Sequence, residues 1–258
     1  MSTPQLHDLV LVAGHAAFKS SVNEVPNPVE SDDAWVLQDF QTGEPPFYVE
    51  HIRRGVVLAA NNPVALLVFS GGRTRSEAGS WSEAKTYYDI ATARRFWIPD
   101  KMAPTRDAVA ARTTTEDFAK DSFENLLFGI CRFQQVAQAY PRIVTVASWA
   151  FTASRFDLHR AAILFPETRF HFVGVNDPID LNGALRGERK TVRSFIEHPF
   201  GTAGDPSQKR AARNPFRQEH EYHKCPGVKD LFDFMGDPAN ASKTYAGRVP
   251  WRDAVQGL

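Results

Sequence analysis

The sequence is poor in the features that usually name a protein at sight. It has two cysteines, Cys131 and Cys225, far apart and with no second Cys or His at zinc-site spacing. That argues against a disulfide framework and a zinc module. It points to two buried or free thiols in a reducing compartment, with a bridge between them as the alternative. No run of about 18 apolar residues occurs, so no membrane span is expected. The start, MSTPQLHDLVLVAGHAAF, lacks the basic n-region and long apolar core of a secretion signal. A cytoplasmic protein is the expectation. Net charge is also missing: 30 Lys and Arg balance 30 Asp and Glu. Bulk nucleic-acid or anionic-membrane binding has no support from that balance. There is no GxGxxG, no P-loop Lys-Ser/Thr, no GxSxG and no HExxH. Internal repeats and low-complexity tracts are absent as well.

What is present is a globular composition, 43% hydrophobic over 258 residues, enough for one large α/β domain. Asp8 to Ala13 and Val64 to Phe69 are short, branched and apolar and read as buried strands, and Ile143 to Ala147 and Arg169 to Val175 read as two further strands. Helices are predicted over Tyr48 to Asn61, Trp81 to Phe96 and Ser154 to Phe165. A further helix is predicted to start at Thr113-Thr114-Thr115-Glu116-Asp117 and to run on to Pro141. Residues 19 to 46 read as a loop. The alternation predicts a Rossmann-like three-layer α/β sandwich with a mostly parallel sheet over residues 1–176. Residues 177–258 read as an irregular and helical extension packed on that core. Within it 197 to 226 form an excursion over the sheet edge, and short helices cover Val228 to Met235 and Pro250 to Val255.

Parallel sheets bind ligands beyond the carboxyl ends of their strands. That rule selects Gly14-His15, Ser70-Gly71-Gly72, Ser148-Trp149 and Gly174-Val175. In SGGRTR, the two glycines would let backbone N–H groups approach an anion, with Arg73 or Arg75 adding a bidentate contact. The alternative is a plain strand-to-helix turn. Glu83 reads either as a base, ribose or metal ligand, or as a helix-start carboxylate paired with arginine. For Glu77 the second reading is preferred. Asp117, Asp121 and Glu124 fall at i, i+4, i+7 of the predicted helix. They read as an acidic stripe suited to the dipole, or, with Ser122, Glu124 and Asn125, as a polar ligand wall. Arg155 stands near a helix start, with His159 four residues on. His15 and His159 are the candidate proton carriers. Lys209-Arg210-Arg213 reads as a solvated basic loop.

Taken in order, Ser70-Gly71-Gly72, Ser82-Glu83-Ala84, Ser122-Phe123-Glu124-Asn125 and Arg155 resemble a known pattern. It is that of the domain-of-unknown-function family typified by the bacterial SanA and YdcF proteins, in its fungal cytoplasmic form. The resemblance covers residues 8 to 176. It implies a Rossmann-like domain with a strand-end pocket using Gly71, Gly72, Arg75, Glu83, Glu124, Asn125 and Arg155. It implies S-adenosylmethionine as one ligand to consider, and chemistry near polyprenyl phosphates and the cell envelope. The chain departs from the pattern after the third predicted strand. Trp149, Phe151 and Thr152 stand where the family offers a His, or a basic residue before the Arg.

The function expected from these residues is hydrolysis of a phosphate ester or anhydride. Gly71, Gly72, Arg75 and Arg155 would hold the anion, and Glu83 and Glu124 a divalent metal or water. The alternatives are binding of a nucleoside-like ligand such as S-adenosylmethionine, with Trp149 or Trp81 stacking, and a degenerate scaffold. The partner in the first two is a small phosphate- or nucleoside-containing molecule. Substrate, metal and oligomeric state are left open.

Overall fold

The computed structural model describes residues 5–97 and 109–253. Strand β1 (Asp8–Ala13) leads into a short antiparallel pair, β2 (Ala17–Phe18) and β3 (Trp35–Val36), and then helix α1 (Pro45–Ala60). Strand β4 (Ala65–Ser70), helix α2 (Glu83–Ala93) and strand β5 (Thr113–Glu116) follow. Helix α3 (Ser122–Ala137), strand β6 (Ile143–Ser148), helix α4 (Ala153–Ala162) and strand β7 (Phe170–Gly174) complete the core. The main sheet has the order β5-β4-β1-β6-β7 and is parallel at every pairing. This is the expected Rossmann-like α/β fold.

Strand parity decides the two layers, because successive side chains point to opposite faces. Leu9, Leu11, Leu66, Val68, Val144 and Val146 face α3 and α4. Val10, Val12, Leu67 and Phe69 face α1 and α2. Burying each such side chain contributes about 1.5–3 kcal/mol relative to exposure. The register then levels the strand ends: Ala13 pairs with Ser70, Ser70 with Glu116, Val12 with Ala147, and Ser148 with Gly174. The residues just past these ends are therefore neighbours in space.

Two sequence expectations fail here. Thr113–Glu116 is an edge strand, not the first turn of a helix. Three threonines suit a pleated edge better than a helix start, and β4 supplies the pairing partner. Helix α3 begins only at Ser122, with Asp121 as its N-cap accepting from the Glu124 N–H at 2.9 Å. Asp117, Asp121 and Glu124 thus share no helical face. Asp117 lies before the helix and accepts from Ser82 and Thr115.

The second failure is in the extension, where 197 to 226 is more regular than expected. Helix α5 (Leu181–Glu197) packs on α4, and helix α6 (Gly204–Ala212) packs on α5. Helix α7 (Lys229–Gly236) and helix α8 (Pro250–Asp253) follow, the latter ending inside the predicted Pro250–Val255 because residues 254–258 lie outside the described ones. Phe195, Phe200, Tyr222, Leu231 and Trp251 join the α3/α4 side of the core. The Trp251 indole also donates to the Ile163 carbonyl at 2.9 Å. Cys131 and Cys225 are both buried and unbridged. No helix among the described residues is long and apolar enough to cross a membrane.

Candidate functional site

The chain runs outward from β1 through β4 to β5, then crosses back to place β6 on the other side of β1. The crevice between β1 and β6 is the topological switch point, where such sheets bind ligands. A cavity of about 590 Å³ opens there. Gly14-His15 after β1 and Ser148-Trp149 after β6 line it, with Glu83 and Asn125 from α2 and α3. Helix α5 contributes Gly183, Gly187 and Glu188 to the opposite wall, and Lys209 and Arg213 come from α6 and the residue that caps it.

Glu83 is the first residue of α2, behind a Ser82 N-cap that accepts from the Lys85 N–H at 2.8 Å. Its backbone position at a helix start suits a carboxylate. The carboxyl accepts the Thr74 hydroxyl at 2.6 Å and lines the cavity. Burial raises its pKa, opposed by the Thr74 hydrogen bond and by Arg213 and Arg75. Two glycines make room for it. A Cβ on Gly14 would lie 2.6 Å from the Glu83 Cβ, and one on Gly71 would lie 2.6 Å from Glu83 Oε2.

That is the structural use of Gly71, and it differs from the one expected; Gly72 instead makes room for the Ala119 carbonyl, 2.8 Å from where its Cβ would sit. The Gly71 N–H donates to the Glu116 carbonyl at 2.9 Å and the Gly72 N–H to the Ala119 carbonyl at 2.7 Å. Neither amide is left for an anion, and neither glycine lines the cavity. Ser70 sits beneath them, fully buried, with its hydroxyl 2.6 Å from Glu116 Oε2 and 2.9 Å from Asn125 Oδ1.

Positive charge comes from side chains instead. Arg75 and Arg155 line the cavity. Arg155 Nε lies 3.1 Å from Glu188 Oε1, and burial holds its pKa below the usual guanidinium value. Arg213 donates to the Lys120 carbonyl at 2.9 Å and faces both Glu83 and Arg155 electrostatically. Burial lowers the Lys209 pKa, and Arg213, Lys190 and Arg155 push it further the same way. Like charges held this close in a cavity favour an anion between them. So the run is not a loop: Lys209 is exposed on α6 at the cavity rim, Arg213 lines the cavity, and Arg210 is a nearly buried clamp on Asp121 at 2.6 Å.

His15 stands on the β1 side of the same cavity, in an aromatic cluster with Tyr48, His51 and Trp149. Its pKa lies well below 6.5, through burial first and then the nearby His51 and Arg155. The imidazole is therefore neutral at neutral pH and keeps a lone pair, while the same surroundings make it a weaker base than a free histidine.

Other expected site residues lie elsewhere. His159 is fully buried behind α3, 2.8 Å from the Ser122 hydroxyl, with burial pulling its pKa to about 3. It does not line the cavity, so it carries no proton there. Glu124 accepts from the Lys120 N–H at 2.8 Å and lies 3.5 Å from Arg210 Nε, turned away from the cavity that its neighbours Ser122 and Asn125 line. Arg73 points outward over the Phe216 ring, with 5.0 Å to its centroid. The expected pair of metal carboxylates, Glu83 and Glu124, thus does not converge. No group of three His, Cys, Asp or Glu suited to a metal occurs among the described residues.

Reading the sequence alone missed three contributors. His51 lies inside the predicted helix Tyr48 to Asn61, where no motif marks it, and Asn176 follows β7 in a plain loop. Arg213 was assigned to a solvated stretch. Only the strand-end rule, applied to the residue after Val175, would have flagged Asn176.

No protein-family profile matches the chain, and no solved structure does. The chain is similar to an uncharacterized protein of Saccharomyces cerevisiae, YOR238W, at 26% identity over 261 aligned residues covering 83% of this chain and 86% of that protein.

Proposed function

We propose that the cavity takes a small molecule through a phosphate group and hydrolyses a phosphate ester or anhydride. The observation that carries this reading is that Arg75, Arg155 and Arg213 line one cavity with the Glu83 carboxyl at the switch point, Arg213 and Arg75 acting on that carboxyl directly. The guanidinium groups would bind the equatorial oxygens and stabilise charge as it develops on the leaving group. Glu83 would orient the attacking water and His15 would accept its proton. The residues present do not fit a divalent metal, since Glu124 faces Lys120 and Arg210 and not Glu83.

A second reading rests on Trp149 and Phe151, which line the cavity beside Gln38 and Glu44. This aromatic and amide-rich wall suits a nucleoside-like group, S-adenosylmethionine included. Under either reading we propose a cytoplasmic location, a reading that the two unbridged thiols support. The kinship with SanA- and YdcF-type proteins is proposed on the motifs quoted above.

A thermal-shift panel separates the readings. Inorganic phosphate, pyrophosphate, adenosine nucleotides and S-adenosylmethionine would each be added with and without Mg²⁺. A ligand at a hundred times its Kd adds about 2.7 kcal/mol. Stabilisation by phosphate compounds, followed by phosphate release on turnover, supports the hydrolase. Stabilisation by S-adenosylmethionine alone replaces it with the binding reading. No shift from any of them leaves a scaffold.

A further inference from the structure

Behind His15 lies a hydrogen-bonded chain whose protons can be placed one by one. His51 sits on α1 with no exposed surface, and Asn176 follows β7. The Asn176 side-chain amide donates to the Phe47 carbonyl at 3.4 Å, which turns its oxygen toward His51 Nε2 at 2.7 Å. An amide oxygen only accepts, so His51 Nε2 carries a proton. Burial pulls the His51 pKa to about 4, so the ring is neutral and has one proton to hold. Its Nδ1 is therefore a bare acceptor. His15 Nε2 lies 3.1 Å from that Nδ1 and must be the donor. The opposite arrangement would set two lone pairs against each other in a buried site, leaving both unsatisfied.

A neutral His15 with its proton on Nε2 has a lone pair on Nδ1. That nitrogen has no hydrogen-bond partner among the described residues, while the ring lines the cavity. The ring cannot easily turn. Its Nε2 is held by His51 at 3.1 Å, and Tyr48 and Trp149 pack beside it at 5.6 and 5.7 Å between centroids.

We infer that His51 and Asn176 are positioning residues that hold His15 in a single tautomer, with Nδ1 presented to the cavity as a proton acceptor. The tautomer follows from the hydrogen bonds of a neutral His51, while its use rests on the hydrolytic reading above. In that use, a water proton passes to His15 Nδ1 as the water oxygen bonds to phosphorus. The leaving oxygen departs with its electron pair, and the Nδ1 proton passes to it. The Nε2–H bond to His51 stays in place throughout.

The test is the ring ¹⁵N spectrum of the folded full chain at neutral pH, with His15 assigned through His15→Gln. The expected result is a single Nε2–H tautomer for both His15 and His51, kept in Asn176→Asp, which retains an acceptor. In Asn176→Leu, which has none, both rings should show mixed tautomers. A wild-type His15 protonated on Nδ1 or mixed between tautomers overturns the inference, even if Asn176→Leu does not fold. So does a folded Asn176→Leu with unchanged rings. Where phosphate release is measurable, Asn176→Leu should lower kcat by about 10²-fold with KM little changed, and Asn176→Asp should recover most of it. A pinned tautomer in a chain that hydrolyses nothing would remove the proposed reaction and leave the positioning intact.

Discussion

Arg210 Nε lies 2.6 Å from Asp121 Oδ2, joining α6 of the C-terminal segment to the N-cap of α3 beside the cavity. The guanidinium makes a second contact to Asp121 Oδ1 at 3.2 Å, so the pair is bidentate and nearly buried. Burial pushes the Asp121 carboxyl up, but Arg210 outweighs it and holds the pKa below the ordinary 3.8. Arg210→Met would strand that carboxylate. The expected loss is about 3–5 kcal/mol. Because the folded pKa is the depressed one, this stability is present above about pH 4 and fades as pH falls through the folded value. Urea unfolding of wild type and variant at pH 7 and pH 3 checks it: a deficit that does not shrink in acid would remove the Asp121 account.

Glu83 has the opposite sign. Its folded pKa is raised, so the buried carboxylate costs stability once pH exceeds the folded value. Glu83→Gln keeps an oxygen for the Thr74 hydroxyl and removes the charge. The variant should melt no lower than wild type at pH 8 and should lose at least about 10²-fold in phosphate release. An active Glu83→Gln protein would end the role proposed for this residue.

These two carboxylates show what was legible in the sequence. The central strands could be read because DLVLVA and VALLVF are buried on both faces and need no context. The edge strand could not, since Thr113–Glu116 is only partly buried and its hydroxyls imitate a helix cap. Helix α5 was missed although Leu181, Leu185, Val192 and Phe195 recur at helical spacing, because charged and polar residues fill the rest of its 17 residues and only Glu188 and Phe195 are buried. At the site, the strand-end rule found His15, Trp149 and Arg155, which follow directly from topology. It misread the double glycine, because an absent Cβ serves a close side chain as well as an anion. Arg213, His51 and Asn176 are placed by tertiary packing, and no local pattern announces that.

The glycine reading can be tested by contrast. Gly71 has φ +154, and an added Cβ would sit 2.6 Å from Glu83 Oε2 and 2.7 Å from its Cβ. Gly187, within α5 on the opposite wall, would meet nothing within 4 Å. Gly71→Ala should cost about 1–3 kcal/mol through overpacking. Gly187→Ala should gain up to about 1 kcal/mol from helix propensity. Thermal melts of the two variants side by side decide it. Equal effects would mean that Glu83 is free to move away.

Glu116 predicts a pH dependence near neutrality. Ser70 has one hydroxyl proton and two acceptors, Glu116 Oε2 at 2.6 Å and Asn125 Oδ1 at 2.9 Å. A protonated Glu116 removes the conflict by donating to Ser70, which then donates to Asn125. Burial, the largest influence, brings the Glu116 pKa from 4.5 to about 7. The raised value means stability is full below about pH 4.5 and is lost as pH rises through 7, by about 3 kcal/mol in total. Glu116→Gln should flatten this part of the curve. Unfolding midpoints at pH 5, 6, 7 and 8 measure it, and parallel curves for the two proteins would refute the assignment.

Arg213 is the cation on which the anion-binding reading depends most. It donates to the Lys120 carbonyl, and its charge reaches Glu83, Arg155 and Lys209. A charge-assisted hydrogen bond to a ligand contributes about 1.5–3 kcal/mol. Arg213→Met should therefore weaken binding of pyrophosphate, or of whichever phosphate compound shifts the wild-type melt, by about 10–100-fold. The loss should lessen as salt is raised, because part of it is screened charge. Lys224, paired with Glu221 on the surface, is the matched control for a lost cation, and Lys224→Met should leave binding unchanged. Calorimetric titration at two salt concentrations gives both numbers. If Arg213→Met binds as well as wild type, the anion does not sit between α6 and Glu83, and the aromatic wall of Trp149 and Phe151 becomes the side of the cavity to probe.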